Sequence, residues 1–198
     1  MIQVKQIQNS LFAVANYLIT SDTADYCWLV DVGDISLIKD AVEGRAIKGV
    51  FLTHSHHDHM FGVNDLMKLS PDCNIYLSEA GVATLASDKL NFSKYVGPVV
   101  SYQGDNLVTF NEIKEFELFP GIMIEAIPTP GHSEDSVTYK LDNYLFTGDA
   151  YIPGVPVVTK LRGGDQELAK QSTEIIHSLI GEETTLCPGH WGKSQLPF

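Results

Sequence analysis

Positively charged side chains are scarce in this sequence of 198 residues, which has 13 lysines and arginines against 25 aspartates and glutamates. With neutral histidines, the chain carries a formal net charge of −12 at pH 7. A field of that sign repels nucleic-acid phosphates and anionic membrane surfaces. We therefore expect neither a nucleic acid nor a membrane as a partner, and the sequence leaves the oligomeric state open.

Cysteines and long apolar runs are scarce as well. Cys27, Cys73 and Cys187 are an odd number without a CxxC pair, which is typical of reduced intracellular thiols. Cys187 lies near His190 and is a conceivable ligand or nucleophile, but a buried free thiol is the commoner outcome. No N-terminal signal pattern and no apolar run of bilayer length is present, so the expected location is the cytoplasm.

The order of apolar runs and turn residues predicts the fold class. We expect a single domain over residues 1–198. Strands are predicted at 3–7, 11–19, 26–32, 47–53, 74–77, 99–102, 107–110, 114–118, 123–127, 136–141, 144–147 and 184–187. Helices are predicted at about 35–43, at about 64–69, after Ser78 and at 166–180. This order predicts an α/β (α+β) fold of two packed sheets with helices outside.

The last predicted helix has the clearest boundaries. Asp165 is expected to cap its start and Gly181 to end it. Its predicted apolar stripe consists of Leu168, Ile175, Ile176, Leu179 and Ile180.

Histidines, by contrast, are concentrated in one short stretch. THSHHDHMFG, residues 53–62, follows a predicted strand and contains HxHxDH as His54, His56, Asp58 and His59. Residues two apart in extended backbone point the same way, so the first two rings would face one centre, and a turn would direct the other two side chains to a second point. Imidazole and carboxylate suit Zn²⁺, Mn²⁺ and Fe²⁺. At this composition the pattern arises by chance on the order of once in two thousand such sequences.

Three further donors lie beside glycine at predicted strand ends. His132 is in TPGH, Asp149 in TGDA and His190 in PGHW. Glycine lets backbone approach a ligand closely or adopt a positive φ. Singly, each donor would more commonly be an ordinary loop residue, but together with HxHxDH they predict a metal site. His57, at a variable motif position, and His177, on a solvated helix face, are left out of it.

HxHxDH, a histidine after TPG, then Gly-Asp and a final PGH resemble the motifs of the metallo-β-lactamase superfamily, in the same order. The resemblance runs from DVG at 31–33 to PGH at 188–190, which is nearly the whole chain. It implies a four-layer αββα sandwich of two mixed sheets, with a dinuclear metal site at one edge. Asp31 matches the aspartate that orients the ligand loop from behind.

The resemblance also implies a ligand set. The first metal would be held by His54, His56 and His132. The second would be held by Asp58, His59 and His190, and Asp149 would bridge the two.

The position of Asp149 resembles that of the glyoxalase II (hydroxyacylglutathione hydrolase) group, of lactonases and of ribonuclease Z-type phosphodiesterases. True β-lactamases have Cys or Ser there and are exported, which argues against antibiotic hydrolysis. The sequence ends at Phe198, soon after His190, so we expect no counterpart of the C-terminal helical domain of glyoxalase II. Glu134-Asp135 replaces the usual PG and adds negative charge near the third motif, which disfavours an anionic substrate.

The implied function is a metal-dependent hydrolase with two divalent ions, zinc first and iron or manganese as alternatives. A bridging hydroxide, oriented by Asp58, would cleave a small ester, thioester or lactone substrate. The alternatives are an iron-dependent persulfide dioxygenase, a phosphodiesterase and a non-catalytic metal- or ligand-binding protein. Tyr151 and Trp191 are candidates for substrate contact, although packing is the commoner role. Segment 90–98 fits a substrate-covering loop and a plain surface connection equally well.

Overall fold

The computed structural model describes residues 1–190, so the prediction for Trp191 lies outside the described residues. The strands are β1 (Ile2–Gln8), β2 (Ala15–Ser21), β3 (Tyr26–Val30), β4 (Ala46–Phe51), β5 (Asn74–Ser78), β6 (Leu107–Phe110), β7 (Lys114–Phe119), β8 (Ile122–Pro128), β9 (Val137–Leu141), β10 (Tyr144–Gly148) and β11 (Thr185–Pro188). The helices are α1 (Ile35–Ala41), α2 (His57–Met60), α3 (Val63–Leu69), α4 (Gly81–Leu85), α5 (Ser93–Val96) and α6 (Gln166–Leu179).

The strands form two mixed sheets. The first has the order β1-β2-β3-β4-β5-β6, and the second has the order β11-β10-β9-β8-β7. Pairing in the first sheet is antiparallel from β1 to β3 and parallel from β3 to β6. Among the described strands of the second sheet, only β10 and β11 are parallel neighbours. The predicted fold class of two mixed sheets is confirmed.

Alternation along the strands sorts side chains into separate apolar layers. In β2, Tyr17 and Ile19 belong to the cluster between the two sheets, whereas Leu18 belongs to the cluster under the helices of the first sheet. On the far side of the second sheet, Leu145 packs with Ile176 of α6. The order of layers is therefore helix, sheet, sheet, helix.

Two predicted strands differ from the structure. The strand predicted at 11–19 begins only at Ala15, because Phe12 and Ala13 have φ of +63° and +52° and turn the chain. Residues 99–102 form no strand, since side chains take the hydrogen bonds that a ladder would use. Asn91 Nδ2 donates to the Val100 carbonyl at 2.9 Å, and the Val100 N–H donates to a serine hydroxyl at 3.1 Å.

The predicted helices are present at the expected positions. Some of their boundaries, and part of the predicted apolar face of α6, differ from the structure. Ser78 ends β5, and α4 starts only at Gly81. Asp165 caps α6 as predicted, and Ile180 rather than Gly181 ends it. Leu168 and Ile175 of the predicted stripe are 39% and 42% exposed.

The buried residues of α6 are Ala169, Ser172 and Ile176, of which the predicted stripe contained Ile176. Leu179 and Ile180 of that stripe are partly buried in the same cluster as Ile176. The Ser172 hydroxyl donates to the carbonyl of Pro130 at 2.6 Å, so small residues of α6 lie against the loop that follows β8. Within residues 1–190, no helix has both the length and the apolar character needed to cross a bilayer.

Candidate metal centre

The loop between β4 and α2 carries His54 and His56 and is held on both sides. The Thr53 N–H and hydroxyl donate to the two carboxylate oxygens of Asp31, both at 2.8 Å. The Thr53 carbonyl accepts from the Val137 N–H at 2.8 Å, which ties the loop to the second sheet. The two imidazoles therefore leave a fixed backbone, with ring centroids 4.6 Å apart.

Asp31 holds both ends of the HxHxDH stretch. It follows β3 with φ of +59°, and its side chain is buried. Its Oδ2 accepts from Nδ1 of His59 at 2.7 Å, so the opposite nitrogen of that ring, Nε2, remains for other contacts. Because the same carboxylate also binds Thr53, it fixes where His59 stands relative to the start of the loop.

The other three donors come from the second sheet. His132 follows β8, Asp149 follows β10 directly, and His190 follows β11. Since β10 and β11 are parallel neighbours, the last two donors leave the same edge of the sheet. Nδ1 of His132 donates to the Val158 carbonyl at 2.9 Å, which leaves its Nε2 directed elsewhere.

Two glycines let these loops approach one another. Gly131, before His132, has φ of +133°, and a Cβ there would collide with the backbone nitrogen of Ala169 in α6. A Cβ on Gly189 would lie 2.5 Å from both Asp149 Oδ1 and the ring of His59. Gly131 is required because of its positive φ, and Gly189 is required because there is no room for a Cβ.

All seven predicted ligands meet at this edge of the sandwich. Their candidate ligand atoms form three overlapping groups, and within each group these atoms lie within 4.8 Å of one another. The groups are His54 with His56 and His132, Asp58 with His59 and His190, and His54 with His59 and Asp149. The two oxygens of Asp149 lie 3.4 Å from Nε2 of His59 and 3.7 Å from Nε2 of His132, which places this carboxylate between the two predicted trios.

Several buried polar atoms at the centre have no hydrogen-bond partner among the described residues. They include Nε2 of His54, Nε2 of His59 and Oδ1 of Asp149. A buried polar atom without a partner costs about 1–3 kcal/mol. Imidazole nitrogen and carboxylate oxygen are ligands of zinc and its neighbours, so bound divalent cations would satisfy all three atoms. The donor set therefore fits a metal centre.

Burial and mutual repulsion keep part of the histidine cluster neutral. Burial lowers the pKa of His54 well below its usual value, and the neighbouring imidazoles lower it further. Burial, with His132 beside it, lowers the pKa of His56 to about 4. At neutral pH both rings therefore have the free lone pair that a metal ion needs. Burial also lowers the pKa of His59, but Asp31 and two further carboxylates outweigh it and raise that pKa well above its usual value.

The carboxylates of the centre are ionised. Burial raises the pKa of Asp149, but the charges of His59, His190 and His132 outweigh burial and lower it overall. The pKa of Asp58 is lowered in the same way, chiefly by His59 against burial. The centre thus offers two negative charges together with the neutral imidazoles of His54 and His56, which suits a divalent cation.

Asp135 has a role that the sequence did not reveal. It appeared there only as extra negative charge, but its buried Oδ2 accepts from the N–H of Ser55 at 2.7 Å. Ser55 lies between His54 and His56, so Asp135 fixes the ligand loop from a second direction. Its replacement of a usual glycine was the only signal in the sequence, and Glu134 beside it is exposed.

Two other candidates lie away from the ligand cluster. Tyr151 packs edge-on against His177, with ring centroids 5.1 Å apart, and lines a separate cavity beside α6. Tyr151 is not among the described residues that line the groove over the ligand cluster, which is lined by five of the seven candidate ligands. Cys187 is buried between the sheets, where burial raises the pKa of its thiol to about 12, so it is neither a ligand nor a nucleophile.

Comparison with known proteins accounts for this arrangement. Residues 12–190 match the family described as the metallo-beta-lactamase superfamily. The chain belongs to the metallo-beta-lactamase superfamily. The resemblance in the sequence motifs is thereby confirmed, and the superfamily binds divalent metals.

Relatives in the superfamily include two proteins named hydroxyacylglutathione hydrolase. The protein from Tolumonas auensis is 26% identical over 183 residues, which cover 87% of this chain and 63% of the relative. The protein from Hahella chejuensis is 27% identical over 191 residues, which cover 92% of this chain and 65% of the relative. The chain thus spans less than two thirds of the length of these relatives.

Solved structures of the superfamily have the same architecture. BLEG-1, described as a B3 metallo-beta-lactamase, has a TM-score of 0.84 at 25% identity, with 96% of this chain and 92% of that one covered. TTHA1623 in a di-iron-bound form has a TM-score of 0.76 at 24% identity, with 95% and 92% covered. ETHE1 from Myxococcus xanthus has a TM-score of 0.71 at 22% identity, with 98% and 78% covered.

Proposed function

We propose that the protein is a dinuclear metal-dependent hydrolase of a small ester, thioester or lactone. The observation that carries the proposal is the convergence of seven donors in three groups whose ligand atoms lie within 4.8 Å of one another. One ion would be held by His54, His56 and His132, and the other by Asp58, His59 and His190, with Asp149 shared between them. Zinc is the first choice of metal, and iron and manganese suit the same donors.

Divalent ions at such a centre supply a hydroxide nucleophile at neutral pH and polarise the carbonyl oxygen of the substrate. The protein's own part is to fix the donors and to orient the attacking water. Asp58 suits the second task, because its side chain is 22% exposed while His59 beside it is fully buried. An ionised carboxylate that faces the groove accepts a hydrogen bond from water and holds it in position.

The relatives support hydrolysis, and the di-iron-bound form of TTHA1623 supports iron as an alternative metal. The alternatives carried from the sequence are an iron-dependent persulfide dioxygenase, a phosphodiesterase and a non-catalytic binding protein. The likeness to BLEG-1 adds a β-lactam to the compounds worth testing.

Metal content and turnover test the proposal together. Protein loaded with zinc is expected to hold two ions per chain and to cleave members of a panel of thioesters, esters and lactones. One iron per chain with oxygen uptake, or turnover of phosphodiesters or a β-lactam alone, would overturn it. Loaded protein that is inert on the whole panel would favour the binding protein.

Two neighbouring histidines provide a matched pair for the ligand assignment. His59→Phe is expected to lose one of the two ions and the activity, because it removes a donor of the second trio. His57→Phe makes the same change two residues earlier, at a buried ring that is packed on Phe12 and Phe61 and belongs to none of the three donor groups. It is expected to keep both ions.

A further inference from the structure

We infer that the groove over the metal centre binds an uncharged, apolar group of the substrate, next to the bond that is cleaved. The inference rests on the proposed hydrolase function and narrows it. Among esters and thioesters, it selects those with an apolar substituent and disfavours those with a carboxylate at the same position.

The groove is continuous with the candidate ligands. It encloses about 290 Å³, and His56, Asp58 and His190 are among the residues that line it. Small-molecule pockets usually enclose roughly 300–1,000 Å³, so this groove suits a short substituent. A group bound here lies directly beside the atoms that would hold the metal ions.

The walls of the groove are apolar. They come from the turn before β2, from the α5 segment and from the loop before α6, and they consist mainly of Phe12, Phe92, Tyr95, Val96, Val158 and Leu161. The structure places no lysine or arginine among the described residues that line the groove. Its carboxylates are Asp58 and Asp149, both of them candidate ligands.

The groove has an apolar rim that is exposed to water. Tyr95 and Val96 of α5 are 66% and 45% exposed, and Val158 and Leu161 across from them are 47% and 42% exposed. Exposed apolar residues that are scattered singly need no explanation, but a cluster around one opening marks a binding groove. Such a rim gains free energy by covering an apolar group and gains none from a charged one.

Two of the aromatic walls are held in strained backbone. Phe12 and Phe92 have φ of +63° and +69°, in the left-handed region that bulky residues rarely adopt. Such strain persists only where surrounding contacts impose it, and it concentrates at functional sites. Here the ring of His57 packs on Phe12 with centroids 5.0 Å apart, and the backbone N–H of His57 donates to the Asn91 carbonyl at 2.8 Å. The walls are therefore fixed to the ligand loop.

The described lining of the groove offers no basic side chain to an anionic substituent. A carboxylate bound against the apolar walls would lose hydration and would find no lysine or arginine among the described residues that line them. Arg162 follows Leu161 but lines a different cavity together with Glu134 and Asp135, and His56 lines both cavities. A substrate of the kind named in the hydroxyacylglutathione hydrolases would bring carboxylates that this groove does not match.

Matched thioesters test the inference on the zinc-loaded protein. The acyl pair is the 5-methylhexanoyl and glutaryl thioesters of N-acetylcysteamine, which differ by an isopropyl group in place of a carboxylate. The thiol pair is the acetyl thioesters of 3-methylbutanethiol and 3-mercaptopropionate. In at least one pair, the apolar member is expected to have the higher kcat/KM by about 10-fold or more, as burial of an isopropyl group predicts. Equal rates in both pairs, or a preference for the carboxylate, would overturn the inference.

A substitution at the rim tests the same point within the protein. Leu161→Lys is expected to reduce that preference at least threefold by slowing the apolar member and speeding the anionic one. The matched control is Ile113→Lys, which places the same charge at a side chain that is 62% exposed in the turn before β7. The control is expected to leave the preference unchanged, and an equal effect of both variants would mean that net charge, not the groove, sets it.

Binding without turnover separates this inference from the proposed function. With methyl-labelled zinc-loaded protein, 5-methylhexanamide is expected to shift the methyl signals of Val96, Val158 and Leu161, and glutaramate is expected to shift them much less. If no thioester is cleaved, the proposal of thioester hydrolysis is wrong. The shifts of the methyl signals still show whether the groove binds the apolar amide. Equal shifts with both amides, or none with either, would refute the inference that the groove binds an apolar group.

Discussion

At the scale of single residues, the centre depends on two buried carboxylates that belong to none of the donor groups. Asp31 accepts from Thr53 and His59, and Asp135 accepts from the N–H of Ser55. They bind the same loop from different sides, so each limits a different movement of the histidines. The sequence predicted the first through the family motif. It did not predict the second, since nothing in a Glu-Asp pair shows which carboxylate is buried.

Replacing Asp31 tests whether it sets the proton position on His59. In Asp31→Asn, an amide N–H₂ in place of Oδ2 would face Nδ1–H of His59, and the ring would move its proton to Nε2, the nitrogen in the second trio. Zinc affinity is expected to fall about 10- to 100-fold, as measured by competition with a chromophoric chelator. Asp34→Asn is the control, because within residues 1–190 the Asp34 side chain accepts only from Ser10 and lies outside the centre. Unchanged affinity in Asp31→Asn would rule out this orienting role.

Replacing Asp135 tests the second support. Asp135→Ala leaves the buried N–H of Ser55 without its acceptor, which should cost about 1–3 kcal/mol of unfolding free energy and weaken zinc binding. Urea unfolding and chelator competition measure the two effects. Glu134→Ala removes the same charge from the exposed neighbour and is expected to change neither by much. If both variants behaved alike, Asp135 would act only through its charge.

At the scale of elements, the sequence predicted best where pattern and turn residues agreed. The strands before His54, His132, Asp149 and His190 were predicted to within about two residues. The last three apolar runs end at glycine or proline, and the first ends at the polar residues Thr53 and His54. The structure of segment 90–102 was not predicted, because its path depends on side-chain hydrogen bonds between Asn91 or Ser93 and Val100. The face of α6 was predicted only in part, because Leu168 and Ile175 were chosen for their size, whereas the small residues Ala169 and Ser172 are the ones that fit against the loop at 130–131.

Contact between α6 and that loop makes Gly131 a sensitive position. Gly131→Ala adds a Cβ at φ of +133° that collides with the first turn of α6, so His132 is expected to shift and the first metal ion to bind more weakly. Gly121→Ala is the matched control, because its φ is +75° but no heavy atom lies within 4 Å of the added Cβ. Both variants should lose about 1 kcal/mol of stability to backbone strain, and only the first should lose more than that together with zinc affinity. Zinc titration and urea unfolding of the two variants measure these changes. Equal losses of stability and of zinc affinity in both variants would contradict the collision with α6.

At the scale of the whole molecule, the candidate centre joins the two sheets. Four donors come from the first sheet and three from the second, and their approach was predictable only through the family resemblance, since no periodicity specifies which sheet edges meet. The prediction of a single domain and of a cytoplasmic location stays a prediction.

The pH dependence of stability without a bound cation follows from the same cluster. The pKa values of His54, His56 and His57 are lowered in the fold below the value of 6.5 expected in the unfolded chain. Unfolding therefore takes up protons below pH 6.5, and stability should fall from there towards about pH 4, the folded pKa of His56, by up to about 1.4 kcal/mol per pH unit for each group. The raised pKa of His59 acts in the opposite sense, because its contribution is complete below pH 6.5 and is lost as the pH rises through the folded value.

Stability of the metal-free protein should thus be greatest near neutral pH. Urea unfolding after dialysis against a chelator, at intervals from pH 4.5 to 8, measures it. A flat profile between pH 6.5 and 5 would show that these histidines are protonated in the fold.

The parallel pair of β10 and β11 has a consequence for the order in which the centre is made. His190 follows the last strand, whereas the HxHxDH stretch precedes most of the chain. At roughly 5–20 residues per second, a ribosome would expose His54, His56, Asp58 and His59 on the order of ten seconds before β11 exists. Before β11 is made, an ion is held by at most six of the seven donors, because His190 follows that strand. The donor set that discriminates between metals is therefore complete only once β11 lies beside β10.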